Sequence, residues 1–315
     1  MINVIPAAEL IQDVVQRALG EDAKASPSFL PQSLLLRWLS EGYQEIVRRT
    51  KILTSEMTAN LLTSAVHPAP TDILDRLVWH DEAMRVKVGE DWHTLRERDW
   101  RYVRNIYGDL TALDGVDVPA CWAWDERASD LQILILPPAL AAVTNGLKLD
   151  YVRDPGALSR LYDPDTATCA VTNGDATVTF AASIEGLVEE DDVFGVKADA
   201  DSLPTRWYRL DEVTDTLHVE LSEVYAGVTN GTALFTLSQV SPVEWKRPNL
   251  VKFAPSEYAL ARYFQREEGE SAAGLYRQAF QLELARIVRA MGERPGLALQ
   301  RADATKRFPG LRRLV

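Results

Sequence analysis

The sequence predicts an α+β fold in which helices from both ends of the chain form a four-helix bundle and two β-rich parts lie between them. Three observations indicate this. Apolar residues recur at helical spacing over residues 7–53 and again over 256–291. Residues 70–157 contain short alternating segments separated by turns. Residues 160–240 contain similar segments and carry 4 Lys/Arg against 15 Asp/Glu, a net charge of −11 against −12 for the whole chain.

The first helix is predicted to begin at Pro6, whose missing N–H costs nothing in a first turn, and to end at Gly20. A second helix follows a Ser/Pro-rich link. Its apolar stripe consists of Leu35, Leu39, Tyr43, Ile46 and Val47. Its other face alternates in charge, with Arg37, Glu41, Glu45 and Arg49.

Two further helices are predicted near the C-terminus. Ser256 is the expected N-cap of the first, and Gly269 is expected to end it. The second is expected to end at Gly292 and Pro295, and its stripe consists of Tyr276, Ala279, Phe280, Leu284, Ile287, Val288 and Met291. Residues 296–315 then form an extended basic tail, because they lack an apolar period.

Residues 70–157 are predicted to form a β-rich arm. Its clearest strands are residues 131–136 and 147–152, and the Asn145-Gly146 pair before the second favours a tight hairpin turn. Residues 160–240 are predicted to form an inserted acidic domain, an antiparallel β sandwich or barrel of about five to seven strands. Two further Asn-Gly pairs, at residues 173–174 and 230–231, interrupt it.

These elements predict two domains. Residues 1–158 and 242–315 form a body of helices and β arm with the basic tail, and residues 160–240 form the inserted domain. Both ends of the insert leave the body at neighbouring points, so we expect it to project from the body.

Composition is that of an ordinary globular protein, with 46% apolar and 25% charged residues. Cys121 and Cys169 are too few for a disulfide framework, which fits a reducing compartment. The acidic balance argues against a general duplex-DNA binder, because phosphate neutralisation needs clustered Lys and Arg. Charges interrupt the N-terminal apolar stretch and a Pro-Pro pair splits the longest apolar run, so we expect a soluble intracellular protein without a membrane partner.

The sequence contains no motif of an enzyme or a cofactor site, so no cofactor is expected. The four histidines, His67, His80, His93 and His218, do not have metal-ligand spacing and are interpreted as surface or packing residues. Glu41 and Glu45 share a helix face as a glycosidase carboxylate pair would, but their arginine neighbours favour a charged surface. A hydrolase is therefore a rival hypothesis only.

The acidic run at residues 189–192, with Asp199 and Asp201 nearby, does not fit a calcium loop. Counting from Asp199, Pro204 and Leu210 stand where that loop needs Gly and Glu. A solvated acidic edge that discourages strand pairing is the favoured interpretation.

Four tryptophans cluster around the β arm: Trp92, Trp100, Trp122 and Trp124. Sugar stacking is one interpretation, but burial in a core or a subunit interface is favoured, since aromatic residues dominate both. We therefore treat all four as candidate inter-subunit contacts.

Six segments of the chain follow one another in a recognisable order. They are LLLRWLSEGYQEIVRRT, PAPTDILDRLVWH, the turn from Gly115 through Pro119 to Trp124, LQILILPP, LKLDYVRDPGAL, and the closing SEYALARYFQREEGESAAGLYRQAFQLELARI. In this order they resemble segments of the head-to-tail adaptor proteins of tailed bacteriophages. The resemblance covers about residues 1–158 and 242–315, and minimal family members lack the 160–240 insert.

The resemblance implies a non-enzymatic virion structural protein at the head–tail interface, assembled in the host cytoplasm. Such adaptors form a ring, usually a dodecamer, beneath the portal protein, and DNA passes through it without sequence-specific binding. The implied partners are further copies of the chain, the portal, and a tail, nozzle or fibre protein. In this family the C-terminal segment reaches into the portal, which makes the tail the candidate portal-binding set: Arg301, Lys306, Arg307, Phe308, Leu311, Arg312, Arg313 and Leu314.

Two other functions stay open from the sequence. One is a carbohydrate- or surface-binding virion module, which would use the tryptophans and the inserted β domain. The other is a lower neck or tail-completion protein, one level below the portal. In the adaptor interpretation, the insert would lie at the periphery of the ring and receive a fibre or nozzle protein.

Overall fold

The computed structural model describes residues 4–20, 30–75, 83–108, 113–125, 131–267 and 269–291. Within them the chain is a mixed α+β protein, as predicted. It divides into two compact units, one of Met1–Thr50 and Pro155–Leu297 and one of Lys51–Asp154 and Ala298–Val315. The acidic segment therefore belongs to the same unit as the helices of both chain ends. No helix in the described part of the chain is long and apolar enough to cross a bilayer.

Five helices belong to the first unit. They are α1 (Ala7–Leu19), α2 (Gln32–Thr50), α4 (Pro242–Lys246), α5 (Ala254–Glu267) and α6 (Glu270–Met291). As predicted, α1 follows Pro6 and ends at Gly20, whose N–H donates to the carbonyl of Gln16. Gly269 separates α5 from α6 with a φ of +84°, a backbone conformation that glycine adopts without strain. The predicted helix end at residues 292–295 lies outside the described residues.

The predicted N-cap at Ser256 is wrong. α5 begins two residues earlier, at Ala254, because Pro255 fits a first turn in which its missing N–H needs no partner. Ser256 is fully buried inside the helix, and its hydroxyl donates to the carbonyl of Leu10 at 3.4 Å.

Helices from the two ends of the chain contact one another. α5 packs against α1, α2 and α6. Arg17 of α1 pairs with Glu257 of α5 at 2.7 Å, and Arg262 of α5 pairs with Glu41 of α2 at 3.0 Å. The fully buried apolar side chains of these helices include Leu10, Ile11, Val14, Val15, Leu35, Leu39, Ile46, Val47, Leu260 and Ile287.

Gly42 marks a close approach between α2 and α5. A Cβ added there would lie 3.2 Å from Cβ of Tyr258 and 3.3 Å from Cα of Pro255. We expect Gly42→Val to lower the free energy of unfolding of this unit by about 1–3 kcal/mol, because overpacking forces the helices apart. Urea denaturation measures this. Gly274→Val on α6 is the matched control, since a Cβ there meets nothing within 4 Å, and an equal effect of both changes would contradict the explanation.

The acidic segment folds into seven antiparallel strands, at the upper limit of the prediction. They are β9 (Leu161–Tyr162), β10 (Thr168–Val171), β11 (Thr177–Phe180), β12 (Val193–Val196), β13 (Tyr208–Val213), β14 (His218–Leu221) and β15 (Asn230–Ser238). The order is β10-β11-β14-β13-β12-β15, and β15 also pairs with β10, so the sheet closes on itself. β9 pairs with β15 at the end that β10 leaves free.

The interior of this closed sheet is aromatic. The ring of Phe180 lies 4.8 Å from that of Phe235 and 6.1 Å from that of Phe194, both edge to face. At one end, Val193 and Trp207 share an apolar cluster with Val4 and Ala8 of the N-terminal segment. The closed sheet therefore packs against the N-terminal segment through this second apolar cluster.

The second unit is an eight-stranded sheet. Its strands are β1 (Thr54–Leu61), β2 (Val66–Pro68), β3 (Ile73–Asp75), β4 (Met84–Val88), β5 (Asp91–Glu97), β6 (Cys121–Asp125), β7 (Gln132–Leu136) and β8 (Val143–Arg153). They are ordered β1-β8-β4-β5-β6-β7-β2, with β3 paired to β8. β5 and β6 pair in parallel and the other neighbours pair antiparallel.

The predicted β-rich arm also contains a helix that was not predicted, α3 (Trp100–Tyr107), which connects β5 to β6. Parallel neighbours cannot be joined by a tight turn, so the chain needs a crossover there. Asp99 caps the helix by accepting the N–H of Arg101 at 2.7 Å. This short helix was not predicted because it is required by the parallel pairing of β5 with β6, and the paired residues are far apart in the sequence.

The predicted hairpin turn at Asn145-Gly146 is also wrong, because both residues lie inside β8. Asn145 has a φ of +52°, and its N–H donates to Oδ1 of Asn60 at 3.0 Å where the register with β1 shifts. The pair therefore accommodates a β-bulge. Asn230-Gly231 begins β15, and Asn173-Gly174 lies in the turn between β10 and β11.

Candidate interaction surfaces

The predicted portal-binding residues, from Arg301 to Leu314, lie outside the residues that the structure describes, as does His80. The anchoring role of the tail stays a prediction. The other candidates can be placed.

The four tryptophans occupy different environments within the second unit. Trp122 and Trp124 on β6 are 2% and 4% exposed, and their rings meet edge to face at 5.3 Å. Trp100 packs partly buried against the cluster beneath α3. Trp92 is 41% exposed, with the Lys148 ammonium 5.4 Å from its ring centre. The two β6 tryptophans are core residues, so neither offers a ring face to a sugar. The inter-subunit role of the exposed Trp92 stays a prediction.

Glu41 and Glu45 are both held by guanidinium groups. Glu41 pairs with Arg37 at 3.2 Å and with Arg262, and Glu45 pairs with its neighbours Arg48 and Arg49. The arrangement favours a charged helix surface.

The predicted solvated acidic edge at residues 189–192 is wrong for Asp192, which is 3% exposed. Arg160 holds it with two bonds, Nε to Oδ2 at 2.8 Å and Nη2 to Oδ1 at 3.1 Å, and also pairs with Glu189 at 2.9 Å. The hydrogen bonds to Asp192 are the main cause of the raised pKa of Arg160. Asp191 pairs with Arg209. In the described part of the chain, His, Cys, Asp and Glu form no group that fits a metal ion.

The histidines and cysteines of the described residues have structural environments. His67 is 1% exposed, and its Nε2 accepts the N–H of Leu62 at 2.9 Å; burial lowers its pKa. His218 lies on the surface beside Asp215, 2.9 Å from its carboxylate. Burial raises the pKa of the Cys169 thiol to about 12, which leaves it protonated and unreactive near neutral pH.

Glu244 is a buried carboxylate with a raised pKa. It is fully buried on α4, and the hydroxyl of buried Tyr43 donates to its Oε1 at 3.5 Å. Its Oε2 has no hydrogen-bond partner among the described residues. Burial raises the pKa of Glu244 to about 7, against the opposing effect of backbone N–H groups at Asn249 and Ile5. This carboxylate connects α4 to α2 and is sensitive to pH near neutrality.

A groove of about 570 Å³ runs along α2. Ser40 fixes its far wall, because its hydroxyl donates to the carbonyl of Leu36 and accepts the N–H of Leu158 at 2.8 Å. The residues that line it are mostly of polar types: Gln32, Ser33, Leu36, Arg37, Ser40, Glu41, Gln44, Ala157, Leu158 and Ser159.

One surface was missed by the sequence analysis. The outer side of α3 and the residue before its cap form what we call the cationic helix face: Arg98, Arg101, Tyr102, Arg104 and Ile106. Tyr102 and Ile106 are 44% and 56% exposed, and the Arg98 guanidinium lies 5.0 Å from the centre of the Tyr102 ring. Arg101 and Arg104 have no carboxylate partner among the described residues. The arginine spacing in RERDWRYVRN predicts a shared cationic face only if the segment is helical, and the helix was not predicted.

The chain matches no protein-family model and no curated protein.

Proposed function

We propose that this chain is a structural protein of a tailed bacteriophage virion that forms a ring between portal and tail, connects head to tail and gives passage to DNA. The observation that carries the proposal is the packing of α1 and α2 against α5, since the adaptor resemblance requires the two chain ends to meet. We interpret α1, α2, α5 and α6 as the four-helix bundle of such an adaptor. The proposed partners are further copies of the chain, the portal, and a tail, nozzle or fibre protein.

The exposed side of α6 supports an assembling role. Leu275 and Leu282 are 72% and 66% exposed and lie seven residues apart, which places them on the same face of the helix. Ala285, three residues after Leu282, lies beside them and is also exposed. Exposed apolar side chains grouped in this way are typical of contact surfaces. They leave room for a neighbouring helix.

The acidic balance also suits the proposal. A channel for DNA must let phosphates slide, and a net charge of −12 repels them. The basic residues of the chain's last fifteen positions would then be free for a protein partner. We propose that this tail orders when it docks on portal carboxylates, with Phe308 filling an apolar pocket.

Removal of residues 300–315 tests the proposal. We expect the truncated chain to bind isolated portal rings about 100-fold more weakly or worse, because hot-spot contacts of a docking segment are lost together. Binding is measured by surface plasmon resonance with immobilised portal. Phe308→Ala and Arg312→Glu/Arg313→Glu separate the apolar from the ionic contribution.

The control is the unfolding temperature, which should not change because the deletion removes only the tail. Unchanged portal affinity would contradict the anchoring role. A chain that binds portal only after another neck protein is present would instead be a lower neck component. Electron microscopy of the portal with the full chain then gives the copy number.

A further inference from the structure

The acidic closed sheet has no internal cation left for its outer carboxylates. Its four basic residues are all engaged: Arg160 with Asp192, Lys197 with Asp163, Arg206 with Glu223, and Arg209 with Asp191. Any further neutralisation of this sheet must come from outside it.

Four exposed carboxylates belong to neighbouring segments of the sheet, and we call them the carboxylate rim: Glu185, Glu190, Asp211 and Glu212. Two backbone bonds bring their segments together, from the N–H of Ile184 to the carbonyl of Thr216 at 2.9 Å and from the N–H of Asp191 to that of Leu210 at 3.2 Å. None of the four has a cation partner among the described residues. Leu217, 37% exposed, lies in the same turn region.

The cationic helix face has the complementary character. It offers three guanidinium groups, two of them without a carboxylate among the described residues, around the exposed side chains of Tyr102 and Ile106. Charged groups surrounding an apolar centre are the usual composition of a protein–protein contact.

We infer that the cationic helix face of one copy binds the carboxylate rim of a second copy. The two surfaces belong to different parts of the chain, so the contact is heterologous and can be repeated around a ring. The inference rests on the proposed ring function and assigns its subunit contact. It also gives the acidic segment a role in assembly.

A second copy suits this face better than DNA does. The whole chain carries a net charge of −12, so three arginines must act against long-range repulsion of phosphate. Ile106, more than half exposed, gains nothing from a phosphate but is covered by an apolar group such as Leu217. The rim supplies both the charge and the apolar group.

Charge reversal tests the contact. We expect Arg101→Glu/Arg104→Glu and, separately, Glu190→Arg/Asp211→Arg to weaken self-association at least about tenfold. An equimolar mixture of the two variants should restore it, because each reversed face then meets a reversed rim. Sedimentation velocity, with and without portal rings, measures the assembly, and Arg48→Glu/Arg49→Glu is the control of equal charge change on α2.

Cross-linking gives a second readout that does not need stable rings. Asn105→Cys and Thr214→Cys place thiols beside the face and the rim without removing a charge, and the two native cysteines are buried. We expect a bifunctional maleimide to join the Asn105→Cys chain to the Thr214→Cys chain when the two are mixed. Neither variant alone should give this product.

Four outcomes would overturn the inference. These are unchanged self-association of both reversed variants, absence of the mixed cross-link, rescue only when both reversals stand in one chain, and loss of duplex-DNA binding in a mobility-shift assay with assembly intact. Each is compatible with wild-type binding to portal, so it leaves the proposed function standing. Conversely, a mixed cross-link from a chain that does not bind portal would support the subunit contact and contradict the proposed function.

Discussion

Replacing Asp163 with asparagine is expected to lower the free energy of unfolding of the first unit by about 3–5 kcal/mol, because it leaves a buried ammonium without its counter-charge. The side chain of Lys197 is 0% exposed, and its Nζ lies 2.9 Å from Oδ1 of Asp163. The same ammonium donates to the carbonyls of Pro164 and Ala200. These carbonyls cannot replace a full negative charge.

Urea denaturation followed by circular dichroism measures the change. Lys197→Met is expected to cost less, about 2–3 kcal/mol, since Asp163 is 33% exposed and keeps its bond from Thr236 at 2.7 Å. The double variant should recover most of the loss, because neutral side chains of similar size fill the same space. Additive effects of the two substitutions would contradict a direct pair.

Glu244→Gln is expected to stabilise the protein at alkaline pH and to have little effect near pH 4.5. The pKa of Glu244 is raised from 4.5 to about 7 in the folded chain. The folded state therefore holds a proton that the unfolded state has released, and the stability this provides is lost as pH rises from about 4.5 through about 7. Glutamine mimics the protonated form at every pH, so the difference grows to at most about 3 kcal/mol above pH 7.

The measurement is the free energy of unfolding of both proteins in urea at several pH values. Glu90→Gln is the matched control, because it makes the same substitution at a side chain that is 97% exposed. Tyr43→Phe removes the hydroxyl that donates to Glu244 and should steepen the pH dependence. A constant difference between Glu244→Gln and wild type across the range would contradict the buried-carboxylate explanation.

Local signals in the sequence were sufficient for the helices of the chain ends. Pro6 and Gly20 bound α1, and Gly269 separates α5 from α6, because each residue imposes its own backbone geometry. The strands of the acidic segment were also predicted, since the alternation within each strand is local. Closure of the sheet was left open, because it depends on the pairing of β10 with β15 about 60 residues later.

The errors concern features decided over longer distances. The parallel pairing of β5 and β6 requires α3, and the register between β1 and β8 turns Asn145-Gly146 into a bulge. Asp192 is buried because Arg160, 32 residues earlier, reaches it. The same limitation hid the cationic helix face, whose arginines share a side only once α3 exists.

The bond from Nε1 of Trp207 to Oε1 of Glu9, at 2.7 Å, joins the closed sheet to α1 across most of the sequence. Together with the apolar cluster around Val4 and Ala8, this bond makes the acidic strands part of the packing of the N-terminal segment. The strands are therefore not an independent module that can be exchanged between related genes without changes at the N-terminus. Loss of these strands would leave Val4 and Ala8 without the apolar partners Val193 and Trp207. The N-terminus and the insert are therefore expected to be inherited together.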